Sequence, residues 1–168
     1  MPDLNHIHDV VVCAAKSAAE LILSALDKPR VPHYKSKTDL VTKTDKESEQ
    51  LICDIIHEEF PEHGILAEET GSSFFNTHYQ WIIDPLDGTT NFVHGYPSFA
   101  VSIGVFRKNK PIVGVVLELP VNRLFSAVKG QGATCDGLQI NVSKVSSLEQ
   151  SLLVTGFGYE HGEKWRSN

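Results

Sequence analysis

From Phe99 to Val128 the chain alternates strand and turn so tightly that only an antiparallel sheet can accommodate it. Three apolar, strand-like runs stand there: Phe99 to Phe106, Ile112 to Leu119 and Leu124 to Val128. The turns between them are too short for the crossover that parallel strands need. The charged Arg107-Lys108-Asn109-Lys110 predicts a hairpin between the first two runs. Asp136-Gly137 predicts another, between Ala133-Thr134-Cys135 and Leu138-Gln139-Ile140. Ile65-Leu66-Ala67 and Gln80 to Asp84 are two further short strands, with Gly71 to His78 as a polar loop between them. Leu148 to Gln150 reads as a brief helical turn, and Leu152 to Thr155 as a last strand.

Ahead of the strands the period changes. Ile7, Val10, Val11, Ala14, Ala18, Leu21, Ile22 and Ala25 follow the i, i+3, i+4, i+7 rule, predicting an amphipathic helix ended by Lys28-Pro29. Tyr34 to Thr42 reads as extended. A second helix begins at Thr44-Asp45-Lys46-Glu47, which has capping-box spacing, and Pro61 closes it. Its expected buried stripe is Leu51, Ile52, Ile55, Ile56 and Phe60. With 168 residues, 41% of them hydrophobic, the chain can build a core. The fold class is therefore α+β, two N-terminal helices packed on a mainly antiparallel sheet.

The formal charge of −6 argues against nucleic acid as a partner, because a phosphate backbone needs a basic face. No segment has the length of a membrane span, and the first residues lack the basic and apolar regions of a signal peptide. Cytoplasm is the expected location, with a plastid as the alternative if a targeting segment precedes this chain. Cys13, Cys53 and Cys135 are far apart and odd in number; Cys13 and Cys53 fall on apolar helical faces and read as buried thiols. The histidines show no zinc spacing and read as structural or solvated, with the role of His94 left open by its place just after the next motif.

That motif is Trp81-Ile82-Ile83-Asp84-Pro85-Leu86-Asp87-Gly88-Thr89-Thr90-Asn91. An apolar strand ends in an acid, a proline stops it, and a second acid follows three residues on. Carboxylates this close repel, and a hard divalent cation is the commonest reason to hold them together. Gly88-Thr89-Thr90 offers backbone N–H groups at a helix start, where phosphate binds. Acids for a metal beside amides for phosphate point to Mg²⁺-dependent chemistry on a phosphate ester. A metal-free acid/base pair of Asp84 and Asp87 is the weaker reading, since residues three apart point into one pocket rather than to opposite sides of a bond.

Four elements in order carry a family resemblance: Asp39-Leu40-Val41-Thr42-Lys43-Thr44-Asp45, Leu66-Ala67-Glu68-Glu69, Trp81 to Phe92, and Phe99-Ala100-Val101-Ser102-Ile103-Gly104. Together they resemble the inositol monophosphatase family of Mg²⁺-dependent, lithium-sensitive phosphatases. Leu153 to Tyr159 looks like its plant and cyanobacterial branch. The resemblance implies that Glu68, Asp84 and the carbonyl of Leu86 hold one metal. Asp84 bridges to a second metal that Asp87 also binds, so two or three Mg²⁺ ions are expected, with Glu68 reaching the third. It further implies that Glu68 helps hold the attacking water and that Thr89 orients it. Asp45 hydrogen-bonds Thr89, and Asp87, Gly88 and Thr89 receive the substrate. Read by itself, Asp45 serves the helix dipole or the site equally well; the resemblance tips it to the site. Glu69 reads as a structural hydrogen-bond partner, Asp39 and Lys37 as structural or rim residues.

The family's later metal-binding aspartate, in a Trp-Asp-x-x-Ala-Gly-type segment, has no counterpart here. The expected organisation is an N-terminal α+β metal-site domain over residues 1–150 and the start of a truncated C-terminal α/β domain over 151–168, the first half of an α/β/α/β/α sandwich. The resemblance implies hydrolysis of inositol 1-phosphate or a related sugar phosphate, weak in this chain, and a homodimer as assembly. The alternatives are a silent fragment that partners a full-length subunit, and a histidinol-phosphate or other sugar-phosphate phosphatase. An exposed apolar surface is expected where the second half would lie.

Overall fold

The computed structural model describes residues 3–34, 40–73 and 78–155. Helix α1 spans Leu4–Ser24, with the Asp3 carboxylate accepting the Asn5 N–H as its cap. It stops at Ser24 rather than at Lys28. Past Ser24 the amides of Ala25, Leu26 and Lys28 bond three residues back, so the chain tightens into turns before Pro29. The buried face of α1 carries Ile7, Val10, Val11, Ala14, Ala15, Ala18, Ala19 and Ile22; Cys13, expected there, is exposed on the other side.

Helix α2 spans Lys43–Glu59. Its capping box is Thr42 with Asp45, two residues ahead of the Thr44–Glu47 box read from the sequence. The extended backbone belongs to Thr42 (φ −113°, ψ 170°), which makes Thr42 the residue outside the first turn. Ile52, Ile56 and Phe60 are buried, while Leu51 and Ile55 are half-buried. Toward the N-terminus the same stripe continues as Glu49, Ser48 and Asp45, all nearly fully buried. A helix that turns polar along its buried face has something polar to hold.

Strands β1 (His33–Tyr34) and β2 (Leu40–Val41) form a small antiparallel pair. The main sheet contains β3 (Gly64–Ala67), β4 (Gly71–Ser73), β5 (Tyr79–Asp87), β6 (Phe99–Arg107), β7 (Lys110–Leu119), β8 (Arg123–Val128), β9 (Gly132–Cys135) and β10 (Leu138–Ile140). Among the described residues its order is β10-β9-β8-β7-β6-β5-β3-β4. Every neighbouring pair is antiparallel except β3 with β5. The α+β class and the two helices on a mainly antiparallel sheet are as expected. Helix α3 (Thr89–His94) follows β5, and a 3₁₀ turn covers Leu148–Gln150.

Both expected hairpins form. Lys108 and Asn109 turn one with φ of 49° and 60°, and Asp136 and Gly137 the other with 50° and 78°. Three readings are corrected. Gly71–Ser73 is an edge strand on β3, not a loop. Strand β5 does not stop at Pro85 but runs to Asp87, with a shift of register against β6 between Asp84 and Asp87. The missing N–H of Pro85 is tolerated because pairing with β3 has already ended at Ala67 opposite Ile83. Leu152 to Thr155 is no strand: no described strand pairs with it, and Leu152 and Val154 are almost fully exposed.

One face of the sheet packs on α1 and α2. Trp81, Ile83, Val101, Ile103, Val105, Val115 and Leu117 supply its buried side chains. Phe60, His63 and Tyr79 stack beside them at 4.7 and 4.5 Å between ring centroids. Burial holds His63 below its ordinary pKa, and its Nδ1 accepts the Trp81 indole N–H at 3.0 Å. The other face is open, with Leu66, Ile82, Val116 and Ile140 each about two-fifths exposed. Among the described residues, no helix is long and apolar enough to cross a membrane.

Candidate active site

Parallel pairing builds the acidic corner. In the β3–β5 register Ala67 stands opposite Ile83, so the next residues, Glu68 and Asp84, leave the sheet side by side. Antiparallel pairing would have sent them to opposite ends. Burial first, then the charge and hydrogen bond of Glu68, then the charge of Asp87, push the Asp84 carboxyl up to about 7. The Leu86 N–H, donating to Asp84 Oδ1 at 3.2 Å, pulls the other way without cancelling this. Glu68 and Asp87 are exposed and Asp84 is partly covered, so the corner opens to solvent.

The Leu86 peptide links this corner to a second group of residues. Its carbonyl lies 3.1 Å from Thr89 Oγ1, which also stands 2.7 Å from Asp45 Oδ1. The threonine has one proton, and the shorter, charge-assisted contact takes it. Asp45 also accepts from the Thr42 N–H at 2.9 Å and from the Thr42 hydroxyl. Three donors and no acceptor surround this carboxylate. Asp45 therefore caps α2 and holds Thr89 at the same time.

Gly88 makes the corner sharp. It sits at φ 86°, and a Cβ there would come within 3.0 Å of the Ser98 carbonyl oxygen and 3.3 Å of Phe99 Cα. Only glycine fits both the angle and the space. Immediately after it Thr89 starts α3, whose first N–H groups have no acceptor within the helix. His94 ends α3 and is exposed.

The polar stripe of α2 fastens two segments around this point, residues 85–89 and 69–70. Asp45 holds Thr89, the Ser48 hydroxyl donates to the Pro85 carbonyl at 3.0 Å, and Glu49 accepts the Glu69 and Thr70 N–H groups at 2.7 and 2.9 Å. Glu69 thus joins the structure through its backbone. Glu49 and Ser48 were missed from the sequence. The available signal was their spacing, since Asp45, Ser48, Glu49, Ile52 and Ile56 lie on one helical stripe. Asp39, Lys37 and Gly156 to Tyr159 lie outside the described residues, as does most of the second domain expected from residue 151.

All groups converging on the corner are oxygens. Asp84, crowded by Glu68 and Asp87, is a donor set that a hard divalent cation would relieve. Among the described residues, no three His, Cys, Asp or Glu side chains close into a cage.

Known proteins resemble this chain in sequence and in fold. The chain is 49% identical to the chloroplastic phosphatase IMPL1 of Arabidopsis thaliana, over 97% of this chain and 46% of that one. It is 42% identical to the inositol-1-monophosphatase of Synechocystis, over 94% of this chain and 56% of that one. The solved inositol monophosphatase of Anabaena superposes with a TM-score of 0.83 at 41% identity, over 94% of this chain and 57% of that one. The chain thus spans about half the length of the relatives it matches. The model of the inositol monophosphatase family aligns with residues 3–168, from the cap of α1 through the acidic corner and beyond. With nearly every residue inside that match, the chain belongs to the inositol monophosphatase family.

Proposed function

We propose that this chain carries the metal- and phosphate-binding half of a Mg²⁺-dependent phosphomonoesterase that releases phosphate from inositol 1-phosphate or a related sugar phosphate. The observation that carries the reading is the Thr89 hydroxyl, pinned to the buried Asp45 carboxylate and linked through the Leu86 peptide to Asp84, which Glu68 crowds. Because its proton is engaged by Asp45, Thr89 Oγ1 presents only lone pairs to the corner. It accepts a hydrogen bond from a water there and aims that water's oxygen at an incoming phosphorus. Glu68, exposed at the edge, accepts the water's other proton. The N–H groups of Gly88 and Thr89 bind the phosphate oxygens, and Asp87 faces the substrate from the end of β5. Two or three divalent cations held by Glu68, Asp84, Asp87 and the Leu86 carbonyl would supply charge neutralisation and a more acidic water. Family membership and the all-oxygen donor set support Mg²⁺ in that place.

Phosphate release from inositol 1-phosphate, measured at high protein concentration with Mg²⁺, with EDTA and with Asp84→Asn, tests the reading. Slow release that needs Mg²⁺, is inhibited by lithium and is lost in Asp84→Asn is expected. Release that survives chelation overturns it. The names of the plant and cyanobacterial relatives favour inositol 1-phosphate over histidinol phosphate. The word chloroplastic in the Arabidopsis relative's name supports the plastid alternative to a cytoplasmic location.

A further inference from the structure

Strand β5 has chemistry at both ends. Asp84 and Asp87 stand at one, and Tyr79 begins the other. Five residues separate Tyr79 from Asp84, about 17 Å at a strand's rise per residue. Around Tyr79 lies a cavity of about 490 Å³. Its floor is Leu4 and Ile112, and its walls carry Arg107, Lys108, Lys110 and Lys129. No acid lines it. Four cations converge there although acids outnumber bases by 21 to 15 in the whole chain.

The fold assembles this cluster from separate turns. Arg107 and Lys110 are paired across the β6–β7 hairpin, and Lys108 sits in its turn with its N–H on the His78 carbonyl. Lys129 follows β8 and is tied by its N–H to the Ile112 carbonyl at 2.8 Å. The Arg107 guanidinium lies 5.6 Å from the Tyr79 ring centroid, at the end of the Phe60–His63–Tyr79 stack. Stacking fixes its plane and leaves its N–H fork for a ligand. None of the four cationic side chains is paired with a described carboxylate. Like charges lining one cavity with no described counter-charge repel, and an anion that bridges them removes the repulsion.

We propose that this cavity is a second binding site, for a compact polyanion bearing two or more phosphate groups. Its volume is that of a small-molecule site. Planar Arg and point-charge Lys donors suit phosphate oxygens, and four positive charges exceed what one phosphate neutralises. The site is distinct from the acidic corner and does not depend on the activity proposed there.

The test is isothermal titration of the whole chain with sodium tripolyphosphate, in EDTA and about 0.15 M salt, where the Debye length is about 8 Å and weak surface attraction is screened. One saturable site is expected, weakened about tenfold or more in Lys110→Gln/Lys129→Gln and unchanged in Thr89→Ala. Orthophosphate should bind at least tenfold more weakly than tripolyphosphate. No saturable binding, equal affinity in the lysine variant, or loss in Thr89→Ala overturns the proposal. Equal affinity for orthophosphate removes the need for two phosphates, and tighter binding of a single-stranded oligonucleotide makes nucleic acid the partner instead; each overturns it.

Discussion

Asp84 is a carboxyl that its surroundings hold partly protonated near neutral pH. Its folded pKa of about 7 lies above the ordinary value of 3.8. Between these values the folded state binds more protons than the unfolded state, so stability falls as pH rises through this window. In EDTA the melting temperature should drop between about pH 4 and pH 7, and Asp84→Asn should flatten that drop. Adding Mg²⁺ at pH 7.5 should restore it, because a bound cation reverses the repulsion. A metal-free melting curve independent of pH would contradict this account. In the proposed reaction Thr89 and Asp45 act on a proton's direction rather than on charge. Thr89→Ala and Asp45→Asn should each lower the Mg²⁺-dependent rate by about 10²-fold or more, with Thr89→Ser retaining most of it. A steady-state phosphate assay beside a thermal melt separates lost chemistry from lost capping, which accounts for about 1 kcal/mol in Asp45→Asn.

At the scale of elements, α2 is the part that positions the site. Glu49 is buried and satisfies two backbone N–H groups of the turn after β3. Glu49→Ala leaves both donors unpaired and should destabilise the chain by about 3 kcal/mol in urea unfolding. The same variant should misplace Glu68, and Mg²⁺ affinity measured by titration should fall with it. The turn from β5 into α3 depends on one glycine. Gly88→Ala must put a Cβ into the left-handed region, at about 1–2 kcal/mol, and against the Ser98 carbonyl besides. A lower melting temperature and loss of phosphate release are expected; a variant with unchanged activity would show that the turn's shape is not needed.

On the scale of the whole molecule, the sheet has one covered face and one open face. Leu66, Ile82, Gly104, Gly114, Ala127, Ala133 and Ile140 stand in register across it, large residues at the ends and small ones in the middle. A shallow apolar cavity of about 320 Å³ runs over part of this row. Such a surface promotes association. Sedimentation should show concentration-dependent self-association, and Ile82→Lys with Val116→Lys should suppress it without lowering the melting temperature. A chain that stays monomeric at high concentration would show that this face is too polar or too shallow to drive contact.

The pattern of residues alone determined the main elements and the acidic motif, although it made Gly71 to Ser73 a loop and Leu152 to Thr155 a strand. Helical and strand periods are local properties, and so is the Asp84-x-x-Asp87-Gly88 spacing, because neighbours in the chain are neighbours in space. Position-specific backbone demands were less legible. The cap of α2 fell on Thr42 rather than Thr44, and β5 passed through Pro85, because the surrounding pairing decided which residue was helical and which N–H was dispensable. Only the tertiary structure decided the partners. Glu68 meets Asp84 because β3 and β5 pair in parallel. Ser48 and Glu49 joined Asp45, already named through the resemblance, because α2 lies over two segments distant in sequence, residues 69–70 and 85–89. Contacts of that kind depend on the packing of whole elements, and no local pattern encodes them.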